Sequence, residues 1–233
     1  MCGRYSVTLP PEAMAKLFRA IGALPNFPPR YNAAPGQPLP VIRRAPDGRR
    51  ELTLARWGLI PSWSKGPDSR YSMINARADT VAEKPAYRGP FRHRRCLVPA
   101  DGFYEWREAG KGGKQPYYFS LKSRETFAFA ALWDRWVSAQ GDEVDSFAII
   151  VTDANACVAP VHDRMPVILP PDAYAVWLGE EEAAASRLTA LLGPAPAESM
   201  QAWTVSRDVN RPANDRPDLI APFCESQSNP TLL

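Results

Sequence analysis

The sequence predicts an α+β fold: a single domain in which a central antiparallel, barrel-like β-sheet carries a few peripheral helices. Three observations lead there. Short runs rich in aromatic and β-branched residues recur along the chain, stretches with helical spacing are few, and proline is abundant. There are 25 prolines in 233 residues, about twice the usual ~5%. Proline at that density interrupts helices and favours turns, rigid loops and short strands. No internal repeat or low-complexity linker divides the chain, so one domain over 2–225 with a tail at 226–233 is expected.

The first element is a helix over 11–20. Pro11 suits the first helical position, Glu12 lies in the first turn, and Ala13, Leu17 and Phe18 supply apolar positions. Residues 51–60, ELTLARWGLI, alternate and then become continuously apolar, which reads as a strand. Further strands fall at 95–98, 102–107, 116–122, 126–133, 146–152 and 165–169, all rich in aromatic or β-branched residues. A helix follows Pro171, with Ala173, Val176 and Trp177 on one face. Another covers 181–192, where acidic residues at the start match the helix dipole. Residues 206–218 read as an ordered loop, because apolar residues flank both ends. Many strands with helices at the periphery give the α+β class.

Composition excludes several classes of protein. A hydrophobic fraction of 45% and a charged fraction of 23% rule out a disordered or fibrous chain. No run of about 18 apolar residues is present, so no membrane span is expected. The N-terminal MCGRYS lacks a basic region followed by an apolar stretch, so no secretory signal and a cytoplasmic location are expected. Cys2, Cys96, Cys157 and Cys224 are widely spaced without a Cys-x-x-Cys, and His93 and His162 are the two histidines. Neither a metal site, a cofactor nor a disulfide is expected from that set. Cys96, Cys157 and Cys224 read as small buried hydrophobes, and His93, inside a basic run, as a surface residue.

Charge is divided along the chain. Residues 1–115 hold 20 Lys and Arg against 9 Asp and Glu, whereas 116–233 hold 8 against 16. Two readings follow: a basic face that meets a polyanion, or a solvated surface with no partner. The first half also interleaves arginines with aromatics, as in Arg4-Tyr5, Arg30-Tyr31, Arg56-Trp57, Trp63, Tyr71 and Trp106-Arg107. Arginines for phosphates beside rings for bases suit single-stranded nucleic acid.

Cys2 follows the initiator Met. Loss of Met1 leaves an amine and a thiol on adjacent carbons, a pair no internal cysteine has. The amine, with an ordinary pKa near ~7.7–8.0, attacks aldehydes. The thiol then closes a five-membered thiazolidine in an effectively intramolecular step. Such chemistry needs a proton donor, and a carboxyl in a partly apolar pocket suits it because burial raises its pKa. Glu105, in Gly102-Phe103-Tyr104-Glu105-Trp106, is one candidate; strand alternation puts it on the Phe103 face, opposite Tyr104 and Trp106. His162 titrates in the useful range, or is a hydrogen-bonded loop histidine. Asn75 orients Cys2, or is a turn residue.

These segments together resemble the SRAP family, the SOS-response-associated peptidases that form DNA–protein crosslinks at abasic sites. The resemblance runs almost the whole length. It rests on Met1-Cys2-Gly3-Arg4-Tyr5, Arg30-Tyr31-Asn32-Ala33-Ala34-Pro35, Trp57-Gly58-Leu59-Ile60-Pro61 with Trp63, and Asn75-Ala76-Arg77. It continues through Cys96 to Trp106 and His162-Asp163-Arg164-Met165-Pro166. The resemblance implies that Cys2, exposed by loss of Met1 through self-cleavage, bonds covalently to the ring-opened aldehyde of an abasic site in single-stranded DNA. It implies that Asn75 positions Cys2, that Glu105 is the acid/base, and that His162 assists proton transfer. Arg4, Arg77 and Arg164 would contact DNA phosphates, and Pro35, Trp63 and Trp106 would pack against bases. Where family members often carry a second tryptophan, Ser62 precedes Trp63 here. A monomer, nucleoid-associated when bound to DNA, is the corresponding expectation. Two other readings stand beside this one: a cysteine peptidase using Cys2 with His162, and a non-covalent single-strand binding module.

Overall fold

A computed structural model describes residues 2–67, 73–110 and 113–223; Met1, Tyr71, Cys224 and the tail at 226–233 lie outside the described residues. In chain order the strands are β1 (Tyr5–Val7), β2 (Arg30–Ala33), β3 (Pro38–Arg44), β4 (Arg50–Trp57), β5 (Asn75–Arg77), β6 (Arg95–Ala100) and β7 (Gly102–Glu108). They continue as β8 (Lys114–Leu121), β9 (Phe127–Val137), β10 (Glu143–Asp153), β11 (Arg164–Pro166), β12 (Ile168–Leu169) and β13 (Met200–Thr204). The helices are α1 (Pro11–Phe18), α2 (Pro85–His93), α3 (Tyr174–Leu178) and α4 (Ala185–Ala190). Among the described residues no helix is long and apolar enough to cross a membrane.

Five strands close a ring: β3 pairs with β4 and β6, β6 with β9, β9 with β10, and β10 with β4. The barrel is antiparallel except where β10 runs parallel to β4, and β5 joins β10 in parallel beyond it. Parallel pairing requires a long connection, and the segments leading from β4 and β5 to β10 supply it. A second, open sheet has the order β13-β8-β7-β1-β2.

Aromatic contacts lock the two sheets together. Tyr5 meets Trp57 and Phe129 edge-on at 5.1 and 5.9 Å, and Phe103 meets Phe129 at 6.1 Å. Each such pair adds about 0.5–1.5 kcal/mol to the area it buries. Where β6 passes into β7, a Cβ on Gly102 would lie 2.3 Å from the Tyr118 ring and 2.5 Å from the Phe119 carbonyl. Only glycine lets the two backbones approach there.

The departures from the sequence expectations have local causes. The 11–20 helix stops at Phe18 because Arg19 turns left-handed (φ 55°). The 51–60 strand ends at Trp57, before Gly58 at φ 123°. The 165–169 strand is split at Val167, and the 181–192 helix contracts to α4. Cys157 is only half-buried, because it sits in the turn after β10, where Asn155 Oδ1 accepts its N–H at 3.0 Å. Cys96 is fully buried and His93 exposed, as expected.

The 206–218 segment is indeed ordered, and it clamps β2. Asp215 accepts the N–H groups of Tyr31 and Asn32 at 2.6 and 3.1 Å and pairs with Arg30 at 2.9 Å. The buried Asn32 amide donates to the carbonyls of Val209, Arg211 and Asn214.

Candidate functional site

Cys2 reaches the site through the pairing of β1 with β7. Tyr5 lies opposite Phe103, and the Tyr104 N–H donates to the Arg4 carbonyl at 3.0 Å. The chain ahead of β1 is thereby led along β7 towards Glu105. Cys2 is fully buried, with Sγ 3.9 Å from the Arg4 carbonyl oxygen. Burial pushes its thiol pKa up, and the Glu105 charge pushes it further. At neutral pH the sulfur is held as a thiol, not as the thiolate a cysteine peptidase uses.

Glu105 is 2% exposed, on a strand whose two faces separate as alternation requires. Phe103 joins the main core with Cys2, while Tyr104 belongs to a second cluster against which Trp106 packs. Burial pushes the Glu105 carboxyl from its ordinary 4.5 up to about 7. A carboxyl poised there serves as both acid and base near neutral pH.

His162 Nε2 lies 4.0 Å from Glu105 Oε2. Its Nδ1 accepts the Arg164 N–H at 2.9 Å, so the neutral ring carries its proton on Nε2, facing the carboxyl. The exposed Asp163 carboxylate also approaches Nδ1, at 3.0 Å. The backbone N–H is the fixed donor at that nitrogen, and burial lowers the His162 pKa, so the neutral form prevails.

Asn75 opens β5 and donates Nδ2–H to the Cys2 carbonyl at 2.9 Å. Its Oδ1 is buried and has no hydrogen-bond partner among the described residues. The Asn75 backbone carbonyl is held by the Tyr87 hydroxyl of α2 at 3.0 Å. Sequence reasoning missed Tyr87; a tyrosine three residues after a loop lysine gives no sign of its partner.

Strand β10 organises the basic edge of the site. Its Ile149 and Val151 lie opposite Asn75 and Arg77, and its Asp153 lies opposite Arg164. Asn75 and Arg77, two residues apart on a strand, share a face. Arg77 is exposed in a two-pronged pair with Asp79, and Arg164 pairs with Asp153 at 2.9 Å.

The remaining expected DNA contacts divide. Trp63 is 68% exposed and Pro35 sits in an exposed turn between β2 and β3. Trp106 lies on the opposite face of β7 from Glu105 and donates Nε1–H to Asn210 at 2.7 Å. Arg4, also expected at phosphates, is half-buried and donates one guanidinium nitrogen, Nη1, to Asn32 Oδ1 and the Val209 carbonyl at 3.1 and 2.8 Å. The Arg30–Pro35 motif that contains Asn32 therefore builds the scaffold through its first half.

A family model described as SOS response associated peptidase (SRAP) matches residues 1–212. The abasic site processing protein YoqW of Bacillus subtilis (strain 168) is 40% identical over 222 residues, covering 94% of this chain and 99% of that protein. The abasic site processing protein HMCES of Gallus gallus is 34% identical over 229 residues, covering 85% of this chain and 67% of its own. A crystal structure of a protein from Bacteroides thetaiotaomicron has the same fold, with a TM-score of 0.86 at 28% identity over 96% of this chain and 100% of that one. The chain belongs to the SOS response associated peptidase (SRAP) family.

Proposed function

We propose that the chain, once Met1 has been lost by hydrolysis of its bond to Cys2, traps the ring-opened aldehyde of an abasic site in single-stranded DNA as a thiazolidine. One observation carries this reading: Glu105, a carboxyl with its pKa lifted to about 7, is buried beside Cys2. Similarity to proteins named for abasic site processing supports the same substrate.

Glu105 in its acid form protonates the ring oxygen of the closed sugar, and as the ring bond breaks the C1 hydroxyl becomes the aldehyde and returns its proton to the Glu105 carboxylate. The freed Cys2 amine adds to the aldehyde carbon and water leaves, giving an imine. The thiol then adds across the carbon–nitrogen double bond: a carbon–sulfur bond forms and the thiol proton ends on nitrogen. Crosslinking releases one water overall. A thiol that stays protonated suits this order, in which the amine attacks first. Asn75 fixes the Cys2 carbonyl, and its open Oδ1 is an acceptor for the freed amine. His162 turns its Nε2–H towards Glu105 and assists proton transfer by stabilising the carboxylate each time the acid gives up its proton. Arg77 and Arg164 hold flanking phosphates by exchanging solvent-exposed aspartates for them, and such surface pairs are weak. Pro35, Trp63 and Trp106 contact bases.

The test uses protein whose intact mass shows loss of one methionine and an oligonucleotide treated with uracil glycosylase. A species of reduced gel mobility that survives denaturation is expected, and Cys2→Ala abolishes it. No adduct from Met1-free protein overturns the proposal. Turnover of peptides without DNA would support the peptidase reading instead.

A further inference from the structure

Two adjoining hollows lie outside the site, along α2 and the end of β9. Their volumes are about 520 and 850 Å³, and they share Ser62, Arg92, His93, Arg94 and Asp134. Trp63 stands at the mouth of the smaller one. We infer that this trough carries the phosphodiester backbone of the DNA flanking the lesion, so that the bound strand continues past Trp63 onto Arg88 and Arg92. The identity of the ligand rests on the function proposed above.

What the trough gathers is uncompensated charge. Arg30, Arg77, Arg135 and Arg164 all pair with carboxylates. Arg88 and Arg92 are exposed, and neither has a hydrogen-bond or ion-pair partner for its side chain among the described residues. They sit four residues apart on α2, hence on one face with Cβ atoms about 5–6 Å apart. Two like charges at that spacing repel, and an anion lying along the face removes the repulsion. In the larger hollow Arg44 and Arg95 donate only to backbone carbonyls, so their charge is also left without an acidic partner.

The rim is rigid. Buried Asp134 accepts the Ser62 N–H at 3.0 Å and pairs with Arg94 at 3.1 Å, tying the Trp63 turn to the end of α2. An exposed ring on an anchored turn beside free arginines is a platform for single-stranded nucleic acid. The same helix reaches the reaction centre, since its Tyr87 holds the Asn75 carbonyl.

The test measures non-covalent binding of an undamaged, fluorescently labelled single strand across a salt series, so that no adduct is needed. Arg88→Ala/Arg92→Ala removes two phosphate contacts and is expected to flatten the slope of log K against log salt by about 1.4, at roughly 0.7 per contact on a single strand. A Lys16→Ala/Lys122→Ala control makes the same charge change at exposed residues elsewhere and is expected to leave the slope unchanged. An oligonucleotide too short to extend past Trp63 is expected to bind both variants like the parent. An unaltered slope for the arginine pair overturns the inference, as does an equal loss in the lysine pair. Because the strand has no abasic site, failure here is distinguishable from failure of the crosslinking chemistry.

Discussion

Two asparagines lie on either side of the N-terminal segment, and they are treated oppositely. Asn32 is saturated: its amide nitrogen donates to three carbonyls and its oxygen accepts from Arg4. Around it Asp215 and the Tyr104 hydroxyl, which donates to the Tyr31 carbonyl at 2.6 Å, complete a closed network. Asn75 makes one side-chain bond, to Cys2, and keeps a buried oxygen open. Beside it Glu105 is buried at a pKa of about 7, where it gains and loses a proton readily. Saturated buried polar groups hold a fold in place, whereas open or perturbed ones raise its free energy and are candidates for chemistry.

The comparison breaks first at Glu105. Glu105→Gln keeps the shape and removes the proton donor, so the rate of adduct formation at pH 7 is expected to fall about 10²–10⁴-fold in a quenched gel time course. Stability should move the other way. Folded Glu105 holds its proton up to about 7 and the unfolded residue releases it near 4.5. Folding therefore favours the protonated form, and stability is lost as pH rises through that window. At 1.36 kcal/mol per unit the loss is about 3 kcal/mol. Urea titrations at pH 5 and 8 are expected to show Glu105→Gln losing less stability with pH than the parent. Asn32→Ala is the converse case. It removes the side-chain partner of the Arg211 and Asn214 carbonyls and one acceptor of Arg4, while the Val209 carbonyl keeps its bond from Arg4. It is expected to lower stability by about 1–3 kcal/mol, with the adduct rate of the folded fraction nearly unchanged. A variant that kept its stability but lost the reaction would place Asn32 in the wrong class.

Glu105 was legible in the sequence because strand alternation is a local rule: a carboxyl two residues from Phe103 shares its buried face. The cysteine chemistry proposed above is suggested by the place of Cys2 next to Met1 together with the motifs that resemble the family. The bond from Asn75 to Cys2 was not, since it spans 73 residues and depends on β5 joining β10 in parallel. Strand β3 was hidden by its prolines, which normally exclude a central strand. Pro38 and Pro40 are tolerated because β6 pairs with β3 only from Ile42 onward. Helix α2 was hidden in the same way by Gly89 and Pro90. The bonds of Arg4 had no local signal, because its acceptors lie at Asn32 and Val209.

The smallest expected effect sharpens the contrast at the surface. Arg77 is on the Asn75 face of β5, and its exposed guanidinium is occupied by Asp79. That pair raises the Arg77 pKa and lowers that of Asp79, chiefly through their mutual hydrogen bonds. It is nonetheless open to water and easily exchanged. If phosphate replaces Asp79 when DNA binds, the aspartate is a competitor, and removing its charge should help. Asp79→Asn is expected to strengthen single-strand binding a few-fold at low salt and to leave thermal stability unchanged, whereas Arg77→Ala weakens binding and flattens the salt slope by about 0.7. If Asp79→Asn instead weakened binding, the pair would be an orienting device for Arg77, and the saturated class would extend to the rim of the site.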